Sequence, residues 1–244
     1  MVYLNTVEVM GMRVLNDDLS KVPFEGKILV NTISPNSYGI STNDPKFKEA
    51  LQKCDILTLD GEYFGLASIF LKGKTIKRQN GPDNFKCFMQ KANEISARVF
   101  FLGSTERALA LIKEKAKVSY PNVIVETYSP PFKKEFNEED NLAMIKAIND
   151  FKPQLLCVGM TAPKQEKWAY QHYKQLDVNV TITIGQVFDW FAGTQDEPNP
   201  IWVKIHLLWF IRTIKRPEML TTRLPMVLKF LWYLFLNILR IRKD

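Results

Sequence analysis

The sequence predicts an α/β fold, a mainly parallel sheet with helices on both faces followed by a short helical C-terminal appendage, and three observations lead to it. Between about residues 27 and 190, short β-branched or apolar runs alternate with amphipathic stretches of helical length. Alternation of this kind builds a parallel sheet covered on both sides. At DEPNP, residues 196–200, two prolines and a charged pair interrupt the pattern, and the composition beyond shifts to Trp, Leu, Ile, Lys and Arg. The break divides the chain into an α/β domain, residues 1–196, and a basic, aromatic-rich appendage, residues 197–244.

The strands are expected, in order, at KILVNTIS, DILTLDG, ARVFFLGS, VIVETY, QLLCVGM and VTITIGQVF, each rich in the residues that pack on a pleated surface. Between them, segments around 44–54, 84–96, 105–118, 138–150 and 163–176 carry apolar residues at three- and four-residue spacing and read as helices. Several strands end in Gly or Asp where a helix begins. In a Rossmann-like sheet of this type ligands bind outside the carboxyl ends of the strands, so the active site is expected along that edge.

With 244 residues, 46% of them hydrophobic, the chain can bury a sizeable core. The three cysteines, Cys54, Cys87 and Cys157, are scattered, odd in number and form no CxxC pair, which argues for a reducing, cytoplasmic compartment. The N-terminus shows no basic stretch followed by an apolar one, so no secretory signal is expected. Charge is segregated: residues 201–244 hold nine Lys/Arg against two acids, a net +7 that equals that of the whole chain, and the other 200 residues balance at 24 basic and 24 acidic. A polyanionic partner should therefore meet the tail.

The tail reads as two helices divided near Pro225, around 201–215 and 226–241. In the second, Lys229, Tyr233, Asn237 and Arg240 stack on one face and leave a wide apolar face opposite. This suits a helix lying in a membrane interface, or one docked on the body or in a subunit interface. Crossing a bilayer would need roughly 20 predominantly apolar residues, and Lys229 and Asn237 interrupt a shorter run.

Five segments, at strand ends or before helices, could carry chemistry. TLDG places Asp60 at a strand end, as a general base or simply in a turn. IKRQNGPDNF offers Arg78, whose planar fork suits a diphosphate, and Asp83, which could also cap a helix. FLGSTERA ends a strand at Gly103, with Ser104 opening a helix whose amides could hold a phosphate or merely be capped. VGMTAPKQEKW brings Gly159, Lys164 and Gln165 to another helix start, for a phosphate and a sugar or base edge, although a solvated first turn has similar composition. IGQVFDWFAGT supplies Gly185 and then Asp189 among aromatics, a carboxylate suited to accept from a nucleoside. No HExxH, CxxC or DxD arrangement builds a metal site, so arginine or lysine would have to neutralise a leaving diphosphate. The GxSxG elbow and the GxxxxGK[ST] loop are also missing.

Taken in order, these motifs resemble the WecG/TagA/CpsF family of bacterial glycosyltransferases, glycosyltransferase family 26, over about residues 27–224. GMTAPKQEKW is the most specific piece, supported by NTISPNSYGISTNDPKFKEAL leading to DILTLDG, then RQNGPD, FLGS, SPPF and GQVFDWFAG. The resemblance implies an inverting, metal-independent enzyme without a cofactor. It would move a sugar, of N-acetylmannosamine type or a related hexose, from a UDP-sugar to a polyprenyl-diphosphate-linked acceptor in teichoic acid, capsule or exopolysaccharide assembly. It assigns the general base to Asp60 and places Thr32 and Ser34 near the donor, Arg78 at the diphosphate, Gln165 in the core motif and Asp189 at the nucleoside. HLLWFIRTIKRPEMLTTR resembles the family's appendage, with Arg212 and Arg223 closing over the site. That appendage implies docking at the inner face of the membrane, on an anionic surface, and a switch between homo-oligomer and active monomer. The chain departs from the family at Ser34, where Asn is common, at Gln186, where a second Gly is common, and at Leu208 and Met219 in the appendage. Two other classes stand beside this reading. A nucleotide-sugar epimerase or reductase would need a glycine fingerprint after the first strand, which is lacking. A non-catalytic nucleotide-sugar or membrane-binding protein would use the same tail; nucleic acid is not expected as a partner, because such tails rarely need so large an apolar face.

Overall fold

The computed structural model describes residues 4–197 and 218–239. A hairpin opens the chain, β1 (Thr6–Val9) and β2 (Met12–Leu15), turning at Met10 and Gly11, both with positive φ. There follow β3 (Ile28–Ile33), α1 (Pro35–Ser41), α2 (Pro45–Gln52), β4 (Ile56–Leu59), α3 (Glu62–Lys72) and α4 (Gly81–Glu94). The chain continues through β5 (Arg98–Gly103), α5 (Glu106–Ser119), β6 (Ile124–Tyr128), α6 (Glu138–Phe151), β7 (Leu155–Gly159) and α7 (Lys164–His172). It ends with β8 (Val180–Thr183), α8 (Val187–Ala192) and α9 (Glu218–Ile238).

Six strands form one sheet in the order β4-β3-β8-β7-β5-β6, and every pairing is parallel. Alternate residues of each strand feed two cores. Leu29, Ile33, Leu57, Phe100 and Val158 meet Phe47 of α2, Met144 of α6 and Trp168 of α7. On the other face Val30, Ile56, Val99, Phe101 and Ile182 meet Phe88 of α4, Ile112 of α5 and Phe188 of α8. Burial on both faces explains why these strands read as nearly continuous apolar runs.

The helices start where short polar side chains satisfy their first amides. Ser34 with Ser37, Asn80 with Asp83 and Asn137 with Asp140 form reciprocal capping boxes on α1, α4 and α6. Asp44 and Thr105 cap α2 and α5, and Pro45 sits in the first turn of α2, where its missing N–H costs nothing.

Two sequence expectations are corrected. The strand expected over 180–188 ends at Thr183, because Gly185 takes a φ of +47°, and Val187 and Phe188 belong to α8 instead. Pro225 does not divide the tail: it lies inside the single helix α9. A proline removes one intrahelical bond, yet packing on the body can hold the helix through it. The helix expected around 201–215, and Arg212 with it, lies outside the described residues.

α9 packs on α1 and α3. Phe230 is buried, with its ring stacked on Phe64 at 5.5 Å and edge-on to Tyr38 at 5.7 Å, and Leu234 is buried beside it. Burial of two such side chains contributes about 1.5–3 kcal/mol each. Lys229 donates to the Asn43 side-chain oxygen at the flank. The wide apolar face is therefore divided: Phe230 and Leu234 turn to the body, whereas Leu228, Trp232 and Phe235 turn outward. No helix among the described residues is long and apolar enough to cross a membrane.

Candidate active site

A cleft of about 1200 Å³ runs along the carboxyl edge of the sheet and takes residues from the ends of all six strands. Thr32 and Ser34 come from β3, Asp60 from β4, Ser104 from β5, Ser129 from β6, Gly159 from β7, and Thr183 and Gly185 from β8. Ligand sites are commonly roughly 300–1000 Å³, so the space suits something as large as a nucleotide sugar.

Asp60 and Arg78 are brought together by the backbone. The Asp60 amide donates to the Ile33 carbonyl (2.8 Å), which holds the carboxylate at the end of β4 beside β3. Gly61 follows with a φ of +82°, which frees the chain to turn at once into α3. Arg78 pairs with Leu59 in an isolated parallel bridge, and the Gln79 amide donates to the Leu59 carbonyl (3.0 Å). The buried Gln79 side chain donates to the Asp17 carbonyl and accepts from the Leu19 amide, both at 2.9 Å. The segment bearing Arg78 is thus pinned between β4 and the N-terminal loop.

Below the cleft, buried polar contacts fix the strand ends. The Thr183 hydroxyl donates to the Asn31 side-chain oxygen (2.8 Å), and the Asn31 amide donates to the Ala50 carbonyl (3.0 Å). From α4, Asn84 donates to the Thr58 hydroxyl (2.9 Å), two residues before Asp60 and one after Asp83. Asp83 itself accepts from the Asn80 amide (2.9 Å) while lining the cleft, so capping and a place at the site coexist.

Gln165 is a clip between two strand ends. Its side-chain carbonyl accepts from the Gly185 amide (3.0 Å) and the Met160 amide (3.3 Å), and its NH2 group donates to Glu166 (2.8 Å). Glu166 is buried, its second oxygen has no hydrogen-bond partner, and burial pushes its carboxyl above the ordinary range. Lys164 donates to the Lys133 carbonyl (2.7 Å) and lies over the Phe136 ring, with its ammonium pKa lowered by partial burial. Asp189, in the first turn of α8, accepts from Gln195 (3.3 Å).

One expected site residue among those described does not line the cleft. Gly103 lies at the end of β5, where a side chain would strike the Gly159 carbonyl oxygen at 2.3 Å, so it serves the approach of two backbones. Arg212 lies outside the described residues. Arg223, from the second turn of α9, does reach the cleft. The sequence reading assigned no role to Asn36, Ser37, Asn80, Glu166 and Trp190, which also line it although each falls inside one of the motifs. Among the described residues, no three His, Cys, Asp or Glu side chains cluster as they would around a metal ion.

The site, then, sets Asp60 and other carboxylates, two arginines and a run of helix starts around one cavity. A glycosyl transferase model of the WecG/TagA/CpsF family matches residues 5–244. The chain is also 25% identical to the N-acetylglucosaminyldiphosphoundecaprenol N-acetyl-beta-D-mannosaminyltransferase of Bacillus subtilis (strain 168) over 203 residues, 82% of this chain and 77% of that protein. A protein of the same name from Staphylococcus aureus (strain NCTC 8325 / PS 47) is 25% identical over 187 residues, 77% of this chain and 72% of its own. With the family matched over nearly its whole length, this chain belongs to the WecG/TagA/CpsF family and is a glycosyltransferase.

Proposed function

We propose that the protein transfers an N-acetylmannosamine-type sugar from a UDP-sugar to a polyprenyl-diphosphate-linked acceptor, working peripherally at the inner face of the cell membrane. The observation that carries this reading is the convergence of Asp60, Arg78, Gln165 and Arg223 on one cleft, although they lie far apart in the chain. The names of the relatives supply the substrate classes: a lipid diphosphate bearing N-acetylglucosamine and an N-acetylmannosaminyl group.

The reaction is a single displacement. Asp60 takes the proton of the acceptor hydroxyl as that oxygen attacks the anomeric carbon. The bond from the anomeric carbon to the diphosphate oxygen breaks with inversion, and its electron pair leaves on the UDP. Arg78 and Arg223 neutralise the charge that develops there, so no metal ion is needed for that task. Thr32 and Ser34 contact the donor beside α1, Ser104 and Lys164 face its phosphates, and Asp189 accepts from the nucleoside. Gln165 and Gly185 hold the strand ends that shape the sugar pocket, and the outward face of α9 rests on anionic lipid.

The test is a screen of nucleotide sugars against a short polyprenyl-diphosphate-linked N-acetylglucosamine, followed by mass spectrometry. The expected product is the acceptor plus one N-acetylhexosamine, formed from the UDP-linked donor. Donor converted to an epimer, or no transfer from any nucleotide sugar, would overturn the reading.

A further inference from the structure

Two adjoining helices leave apolar side chains uncovered. On α9, Leu224, Leu228, Leu231, Trp232 and Phe235 are all exposed. On α3, Tyr63, Leu66, Ile69 and Phe70 are too, Phe70 at 70% of its surface. Folded chains seldom leave so much apolar surface to water without a partner. The two helices are joined through the stacked rings of Phe64 and Phe230, and both reach the cleft near their N-terminal ends. α3 starts directly after Asp60 and Gly61, and α9 carries Arg223 next to the exposed Leu224.

The charge pattern indicates what covers these rows. Exposed Lys72 and Lys74 follow the apolar row of α3, exposed Arg223 lies beside that of α9 with Lys229 at its flank, and no acidic residue falls between Tyr63 and Pro82 or between Met219 and Leu239. Two copies of such a face would set cation against cation, whereas an anionic surface complements both. Apolar rows flanked by lysine and arginine suit the boundary between headgroups and acyl chains.

We propose that α3 is a second lipid-contacting element, and that α3 and α9 together seat the protein on an anionic bilayer with Asp60 and Arg223 at the cleft end of the seated surface. The proposal rests on the reading of the acceptor as lipid-linked and adds to it a part of the α/β body, distinct from the appendage. A diphosphate at the end of a lipid chain would then rise beside α3 toward the carboxylate at its N-terminus.

Co-sedimentation of the full chain with phosphatidylglycerol-containing vesicles tests it, using Leu66→Glu/Phe70→Glu, Lys72→Glu/Lys74→Glu and Trp232→Glu/Phe235→Glu. Each pair should lower the vesicle-bound fraction by about 10-fold or more. Thermal midpoints should hold, since these side chains are exposed, and so should transfer to a short-chain, water-soluble acceptor. Wild-type binding by both α3 pairs, with release of the α9 pair alone, would overturn the role of α3. So would a wild-type protein that self-associates through this face, with the α3 pairs breaking the oligomer and leaving vesicle binding intact. Transfer by a wild type that binds no vesicles would sink this proposal alone, whereas vesicle binding without transfer of any sugar would sink the transferase reading instead.

Discussion

A methyl group on Gly39 would lie 2.2 Å from the carbonyl oxygen of Met226, so α1 and α9 meet backbone to backbone. Neither main chain can yield without moving its helix. Gly39→Ala should therefore lift α9 from α1 and destabilise the fold by about 1–3 kcal/mol. The thermal midpoint, and protease cleavage within 218–239, would report it; an unchanged midpoint and protection would show that the contact is not as close as described.

Asp60→Asn keeps the shape of the side chain but cannot accept the acceptor proton. Turnover should fall by about 10²–10⁴-fold, with UDP-sugar affinity nearly unchanged by calorimetry. A variant with wild-type rates would remove the base assignment.

Arg223 is exposed and reaches the cleft, so its loss should spare stability and cost catalysis. Arg223→Ala is expected to lower kcat by about 100-fold with little change in melting. Point substitution is a sharper probe than removal of residues 197–244, because truncation would also uncover Tyr38 and Phe64, against which Phe230 packs. Equal loss of kcat and of the thermal midpoint would mark Arg223 as structural.

Glu166 gives a pH signature. Its carboxyl is buried and raised above the ordinary 4.5, so the folded state holds the proton more tightly than the unfolded chain does. Its contribution to stability is fully present below about 4.5 and is lost as pH rises through the raised folded value. Glu166→Gln should therefore gain on the wild type as pH climbs through that window, read as the difference in denaturant midpoints. A difference that stays flat with pH would mean that the carboxyl is not buried in solution.

Burial also pushes the Cys54 thiol up to about 12 and the Cys157 thiol well above its usual value. Cys87 is only half-buried. Iodoacetamide at neutral pH should label Cys87 alone in the native protein and all three after unfolding, as peptide mass spectrometry would show. Native labelling at Cys54 or Cys157 would contradict the core packing.

The central strands were legible because a parallel sheet buried on both faces must be written as apolar runs, as in FFL of β5 and LLCV of β7. α3 was not, for the opposite reason. EYFGLASIFLK has no polar face to set a helical period, since its outward side is apolar as well. The hairpin β1–β2 did alternate, but its Met-Gly turn lacks the Asn-Gly or Asp-Gly signature. Pro225 misled because chain-local rules weigh the lost hydrogen bond and not the packing of Phe230 five residues later. In the site, Asp60 stood out as a charge at a strand end, Arg78 as one in a Gly-Pro turn and Asp189 as one among aromatics, and the structure gathers them in one cleft. The burial of Glu166 was not legible, because a glutamate in a first helical turn ordinarily faces water. Only the three-dimensional fold buries it.

Gly159 sets a dimension of the cavity through an atom it lacks. A side chain there would run into the Phe188 ring at 2.5 Å, so α8 closes on the end of β7 only because that position is bare. How near these two elements come at the wall of the cleft is gauged by one missing methyl. Any side chain at position 159 would push α8 away from β7 and shift that wall of the cleft.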